Sequence, residues 1–325
     1  VSGEDDGQLS LFGPDPEPEP DPALVRLAAR LPPRLRFGTS SWTFEGWKGL
    51  VYQREYGSRQ RFVRESLREY ARHPLFATVG LDRSFYAPVP EKELAAYARQ
   101  VPEGFDLCAK VWSELTTPTF PEHPRFGARA GRKNRRFLDP VAFEELVAAP
   151  MKEALGWALG PLVLEIPPSS AEPATVGPAL ERFLDRVPLD LHYAVELRDR
   201  RLFTPRHLAM LAERPHASHL LSYHARMPTL GVQLREAQVL SGPTVVCRLL
   251  LPQGRRYDEL KAAYAPFDRI VRAQPEMRAD VLRLVEEALD RSMDVYVLVN
   301  NKAEGSSPLT VRALAEAWAR RAEAP

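Results

Sequence analysis

The chain has 325 residues, of which 44% are hydrophobic, 27% charged and 9% aromatic, with 18 Gly, 31 Pro and 2 Cys. That composition excludes a wholly disordered, collagen-like or disulfide-stapled chain, and 44 basic against 43 acidic residues leave a formal net charge of only +1. No apolar run reaches the roughly 18 residues a membrane span needs, and no basic stretch leads into an apolar core at the N-terminus, so a cytoplasmic protein with no membrane partner is expected.

The charge is unevenly placed. Residues 1–22 carry seven acids and no Lys or Arg, which leaves the rest of the chain basic. The alternating prolines of PDPEPEPDP favour an extended spacer, and so few apolar groups cannot offset the entropy lost on ordering. Residues 1–33 are therefore expected to form a disordered acidic arm, and residues 34–325 one domain. Within the arm, Gln8-Leu9-Ser10-Leu11-Phe12 resembles the pentapeptide by which bacterial proteins bind the DNA polymerase sliding clamp. Leu11 and Phe12 would fill an apolar pocket on that partner, with Leu9 beside them and Gln8 making polar contacts.

From Leu35 onward, short apolar runs alternate with helical patterns. LRFGTSSW, FATVGLDRSF, FDLCAKVW, GPLVLEIPP, LHYAVELRD, ASHLLSYH, PTVVCRLLLP and DVYVLVNNK read as eight strands, bounded by Gly, Pro or charge. Between them apolar residues recur at helical spacing, as at Leu94, Tyr97, Ala98 and Val101, or at Val281, Leu284, Val285 and Ala288. Thr204-Pro205 and Ser307-Pro308 mark helix starts, each a capping hydroxyl before Pro. Strands apolar on both faces and separated by crossover helices imply a parallel sheet, and eight such units predict a closed α/β structure, a (β/α)8 barrel of the TIM type. An open doubly wound sheet fits less well, because GTSSW has one Gly where a dinucleotide fingerprint needs three. Cys108 and Cys247 lie in apolar stretches and are expected as buried thiols.

Six segments in order, GTSSWTFEGWKGLVY, LDRSFYAPVP, FDLCAK, LGPLVLEIPP, YAVELRDRRLF and VYVLVNNKAEGSSPLTV, resemble the YecE-like family, domain of unknown function 72, over residues 35 to about 320. The resemblance implies a TIM-type barrel and brings no established reaction. Two positions depart from the family pattern: Gly80 and Lys302 stand where the family usually carries acids.

In a barrel of this kind the site lies at the C-terminal ends of the strands. Strand alternation puts Asp82 with Thr78 and Gly80, Lys110 with Cys108, and Glu196 and Arg198 with Ala194, all on the inner face; Arg248, Asn300 and Asn301 join them. So many charges inside one mouth either neutralise one another as a structural network or await an anionic ligand. For a reaction, Glu196 would be the general acid or base, Lys110 the electrostatic stabiliser or nucleophile, and Asp82 a second carboxylate. Arg198 and Arg248 would bind substrate. Ser41 and Tyr86 could add hydroxyl hydrogen bonds, and Trp42, Trp47 and Phe85 could stack a base or sugar ring or simply pack the rim. Such a site suits a hydrolase or lyase acting on a phosphate-bearing or sugar substrate. The competing class is a non-catalytic adaptor that binds an anion or nucleic acid.

No cofactor is expected, but a divalent metal has an alternative ligand set in Glu165, Glu196 and His224, which would make the protein a metal-dependent hydrolase or isomerase. The other histidines lack HExxH-type spacing. After the third strand, residues 125–136 include Arg129, Arg132, Lys133, Arg135 and Arg136 and no acid. A loop there would overhang the mouth and suit a phosphate backbone, or be a solvated loop balanced by Glu114 and Glu122.

Overall fold

A computed structural model of the chain describes residues 19–122, 124–168 and 173–321. The pentapeptide at residues 8–12 lies outside them. The strands are β1 (Leu35–Thr39), β2 (Thr78–Leu81), β3 (Asp106–Ala109), β4 (Leu162–Ile166), β5 (Tyr193–Leu197), β6 (Ala217–His219), β7 (Leu221–Tyr223), β8 (Thr244–Leu249) and β9 (Asp294–Val299). All paired strands run parallel. Their side chains are buried on both faces, as in the fully buried burial pattern of β5 and β8, which is what a parallel sheet covered by helices requires.

The expected closed eight-stranded (β/α)8 barrel does not form. The strands make a curled six-stranded half-barrel in the order β3-β2-β1-β9-β8-β7 and a separate three-stranded sheet, β4-β5-β6. Two local features account for the difference. The segment ASHLLSYH, expected as one strand, divides at Leu220. There the backbone N–H donates to Val195 O at 2.9 Å, so β6 stays with β5 while β7 pairs with β8. At the opposite side β3 and β4 meet only at the isolated bridges Leu107↔Leu159 and Lys110↔Val163, with no continuous ladder.

Helices cover the outside of both sheets. Arg59–Ala71 is capped by Ser58, whose hydroxyl accepts from Arg61 N, and Pro205–Ala212 by Thr204, which accepts from His207 N. The other marked start differs slightly, since Ser307 is itself the first residue of the helix Ser307–Arg321. Within the span read as an arm, Pro22–Ala28 forms a short helix capped by Asp21; Leu24, Leu27 and Ala28 pack on the core, and Arg30 donates to Ala319 O at 2.7 Å. Each fully buried Leu or Phe of the core contributes roughly 1.5–3 kcal/mol. A small inner cluster, Cys108, Val163, Ala194, Leu220, Val246, Tyr296 and Leu298, fills the space between the two sheets. Cys108 and Cys247 are buried and unbridged. Beneath that cluster, Asp106 accepts from Tyr296 Oη at 2.7 Å and pairs with Arg36 at 2.9 Å. Above it, at the C-terminal ends of the strands, stands a second and larger group of charges. No helix among the described residues is long and apolar enough to cross a membrane.

Candidate functional site

Parallel strands deliver their C-terminal residues to one end of the molecule. There Asp82 follows β2, Lys110 follows β3, Glu165 lies in β4, Glu196 in β5 with Arg198 just beyond it, and Arg248 in β8. The register Glu165↔Glu196 sets the two glutamates side by side. The turn carrying Asp82 is fixed by Ser84, whose hydroxyl lies 2.7 Å from Leu81 O and 2.6 Å from Lys110 O.

The six side chains form one network. Lys110 Nζ donates to Glu165 Oε2 at 2.9 Å and lies 3.3 Å from Asp82. Arg198 Nη2 meets Glu165 at 3.1 Å and Glu196 at 2.8 Å. Arg248 donates to Glu196 at 2.5 Å and to Asp82 at 3.4 Å, and stands 3.6 Å from Glu165. Glu196 is fully buried and Arg248 is 3% exposed, whereas the Asp82 side chain is 34% exposed. Three cations thus answer three carboxylates, and Asp82 is the member that reaches solvent. Burial alone would raise the Glu165 carboxyl, but Arg198, Lys110 and Arg248 together hold it well below its ordinary value. Burial likewise opposes the Arg248 charge, and Glu196, Asp82 and Glu165 outweigh it and raise its pKa. His224 behaves oppositely: burial and the nearby Arg198 pull it down to about 3, so it is a neutral imidazole at pH 7.

Asp82, Lys110, Glu196 and Arg198, placed on one face by alternation, and Arg248, expected to join them, do come together. Of the other ring, hydroxyl and amide candidates, only Phe85 touches the network. Trp42 is 4% exposed and stands edge-on to Tyr97, and Trp47 is wholly buried, so both rings are spent on packing. Asn301 is buried; its Oδ1 accepts from Trp47 Nε1 and from Ser307 N, tying β9 to the last helix. The half-buried Ser41 hydroxyl lies 3.4 Å from that of Thr43. Tyr86 projects from the rim at 72% exposure. Phe85 lies under Lys110, with Nζ 4.6 Å from the ring centre. Among the described residues no three His, Cys, Asp or Glu side chains converge as a metal-holding set. Glu165 and Glu196 instead turn their oxygens toward guanidinium and ammonium groups.

One residue outside the predicted set belongs here. Lys302 lies in the turn Asn301–Ala303 directly after β9 and is 4% exposed. Asn300 holds it, accepting from Nζ at 3.1 Å, and the ammonium stands 4.2 Å from the centre of the Tyr257 ring. Among the described residues no carboxylate lies within ion-pair distance of it. The signal available in the sequence is a cation at a position where the family resemblance leads to the expectation of an acid. The other departure, Gly80, has a steric reason: a Cβ there would stand 2.6 Å from Ser40 O.

The basic connection leaves the C-terminal end of β3 and is ordered as a clasp. Phe120 N donates to Arg132 O, Gly131 N to Phe120 O and Asn134 N to Pro118 O. Arg129 pairs with Glu114 at 3.0 Å and lies over Phe120. Arg132, Lys133, Arg135 and Arg136 are exposed.

Fold and site together define an α/β protein whose parallel strands gather a neutralised charge network, with an added lysine, at one mouth. Residues 36–325 match the family model described as protein of unknown function DUF72, and the chain belongs to that family. It is similar in structure to a DUF72 family protein of Enterococcus faecalis V583, with a TM-score of 0.61 and 18% identity, over 87% of this chain and 95% of that one. It is also similar to a DUF72 family protein of Thermotoga maritima MSB8, with a TM-score of 0.58 and 18% identity, over 89% of this chain and 99% of that one. At such identity the likeness establishes the fold alone. No curated protein matches the sequence.

Proposed function

We propose that the mouth binds a phosphate-bearing substrate and processes it as a hydrolase or lyase. The observation that carries this reading is Lys302. Three carboxylates already balance Lys110, Arg198 and Arg248, so the buried Lys302 ammonium is a surplus positive charge, which an anion would complete. In this reading Asp82, the solvent-reaching carboxylate, handles protons. Glu196 positions Arg198 and Arg248 rather than meeting substrate, because it is enclosed by them. Nucleic acid is one form such a substrate could take, supported by the exposed cations of the clasp at the same end of the strands. Residues 8–12 support tethering to a sliding clamp, which would concentrate the protein beside DNA. A peptide of residues 5–16 should bind purified clamp saturably at micromolar concentration, and failure to do so removes the tether.

Calorimetric titration of the full chain with pyrophosphate tests the anion site. Saturable binding should weaken at least about tenfold in Lys302→Met, or about 1.4 kcal/mol; equal binding by both proteins overturns it. A panel of phosphoesters, glycosides and oligonucleotides then separates enzyme from adaptor. Turnover lost in Asp82→Asn while binding persists marks an enzyme, and binding without turnover in either protein marks an adaptor.

A further inference from the structure

The chain has seven lysines. Lys48, Lys110 and Lys152 pair with carboxylates, and Lys92, Lys133 and Lys261 are exposed. Lys302 is neither paired nor exposed. Asn300 Oδ1 accepts from both its backbone N–H and its Nζ, each at 3.1 Å. The Tyr257 and Phe267 rings flank the ammonium, with centres 4.2 and 5.9 Å away. Tyr257, whose ring faces the ammonium, is itself 55% exposed. Asp82 lies near enough to act electrostatically on both Lys302 and Tyr257. A purely structural role is a poor account of this lysine, because an apolar chain would fill the aromatic slot without burying a charge.

We infer that Lys302 forms an imine with the carbonyl carbon of a phosphate-bearing aldehyde or ketone held at the mouth. This rests on the anion reading above: the Lys302 ammonium draws the anionic substrate to the mouth, and the amine left once it gives up its proton attacks the carbonyl. The unprotonated Nζ places its lone pair on the carbonyl carbon while the π pair of the C=O bond moves to oxygen. The C–O bond of the resulting carbinolamine then breaks as C=N forms. Both amine protons end on the departing oxygen, so amine plus carbonyl gives imine plus water, and nothing is oxidised or reduced. Asp82 is the carboxylate placed to carry these protons. Burial, opposed by Asp82 and reinforced by Lys261, brings the Lys302 ammonium down to about 8. Roughly a tenth of the molecules then carry the free amine at pH 7, far more than for an exposed lysine.

Reductive trapping tests the step. The full chain is incubated with glyceraldehyde 3-phosphate or with unphosphorylated glyceraldehyde, each with cyanoborohydride, and the adducts are mapped by peptide mass spectrometry. The phosphorylated aldehyde should label Lys302 at least about tenfold faster than Lys92, Lys133 or Lys261, and Lys302→Arg, checked by circular dichroism for folding, should lose that adduct. Labelling spread evenly over the exposed lysines overturns the inference, and this comparison within the wild-type protein needs no folded variant. Trapping of both aldehydes at Lys302 at equal rates would support the imine and refute the anion reading. Calorimetric phosphate binding with no Lys302 adduct would do the reverse.

Discussion

Glu196 is enclosed by two guanidinium groups, while Asp82, in the same network, reaches water. Their removal should therefore differ in cost. Glu196→Gln leaves Arg198 and Arg248 buried with too little opposing charge, a loss of about 3–5 kcal/mol, whereas Asp82→Asn should cost about 1 kcal/mol or less because solvent screens the exposed side. Urea unfolding of both variants at pH 7 reads the difference; equal costs would mean that Glu196 is not the structural centre of the network. At this scale strand parity was informative. It placed Asp82, Lys110, Glu196 and Arg198 on one face, because alternation is a local property of extended chain. It could not tell that Trp42 and Asn301 face the packing instead, since their surroundings come from Tyr97 and Trp47, distant in sequence. Glu165, weighed only as a metal ligand, is in the structure the partner of three cations.

Among the elements, type and order were legible and closure was not. Apolar runs bounded by Gly, Pro or charge marked the strands, yet how strands join depends on register between distant segments. ASHLLSYH reads as one strand, and nothing local announces that Leu220 hands the chain from one sheet to the other. The sparse contact between β3 and β4 is likewise a matter of two bridges spanning a long connection. Close approach is set just as remotely: at Gly38 a Cβ would stand 1.9 Å from Thr78 O, so β1 and β2 tolerate only hydrogen there without moving apart. The turn after β9 shows why Lys302 escaped the alternation argument. Past Val299 the chain leaves the strand, and Asn300 bonds the Lys302 backbone and side chain together, so parity no longer states direction.

For the molecule as a whole, burial of neutral histidines governs the acid response. His73, His192 and His207 are each pulled down to about 4 by burial, and His224 to about 3. The unfolded chain takes up these protons near 6.5, where the folded chain does not. Stability is therefore full above pH 6.5 and falls as pH drops from 6.5 toward 4, by up to about 1.4 kcal/mol per pH unit for each such histidine. Below about 4.5 the unfolded chain also protonates Glu165, whose carboxylate the folded chain keeps charged, and this adds to the loss. Urea midpoints at pH 7, 6 and 5 should decline steadily, and a flat profile would show that these imidazoles are open to water.

On the proposed function the strand-end mouth, not the basic clasp, receives the anion. Crystals of the full chain soaked in tungstate locate a bound anion directly through its anomalous scattering. A peak is expected within hydrogen-bond distance of Lys302 Nζ, on the side facing Asp82 and Tyr257. Peaks confined to Arg132, Lys133, Arg135 and Arg136, with none at Lys302, would contradict it.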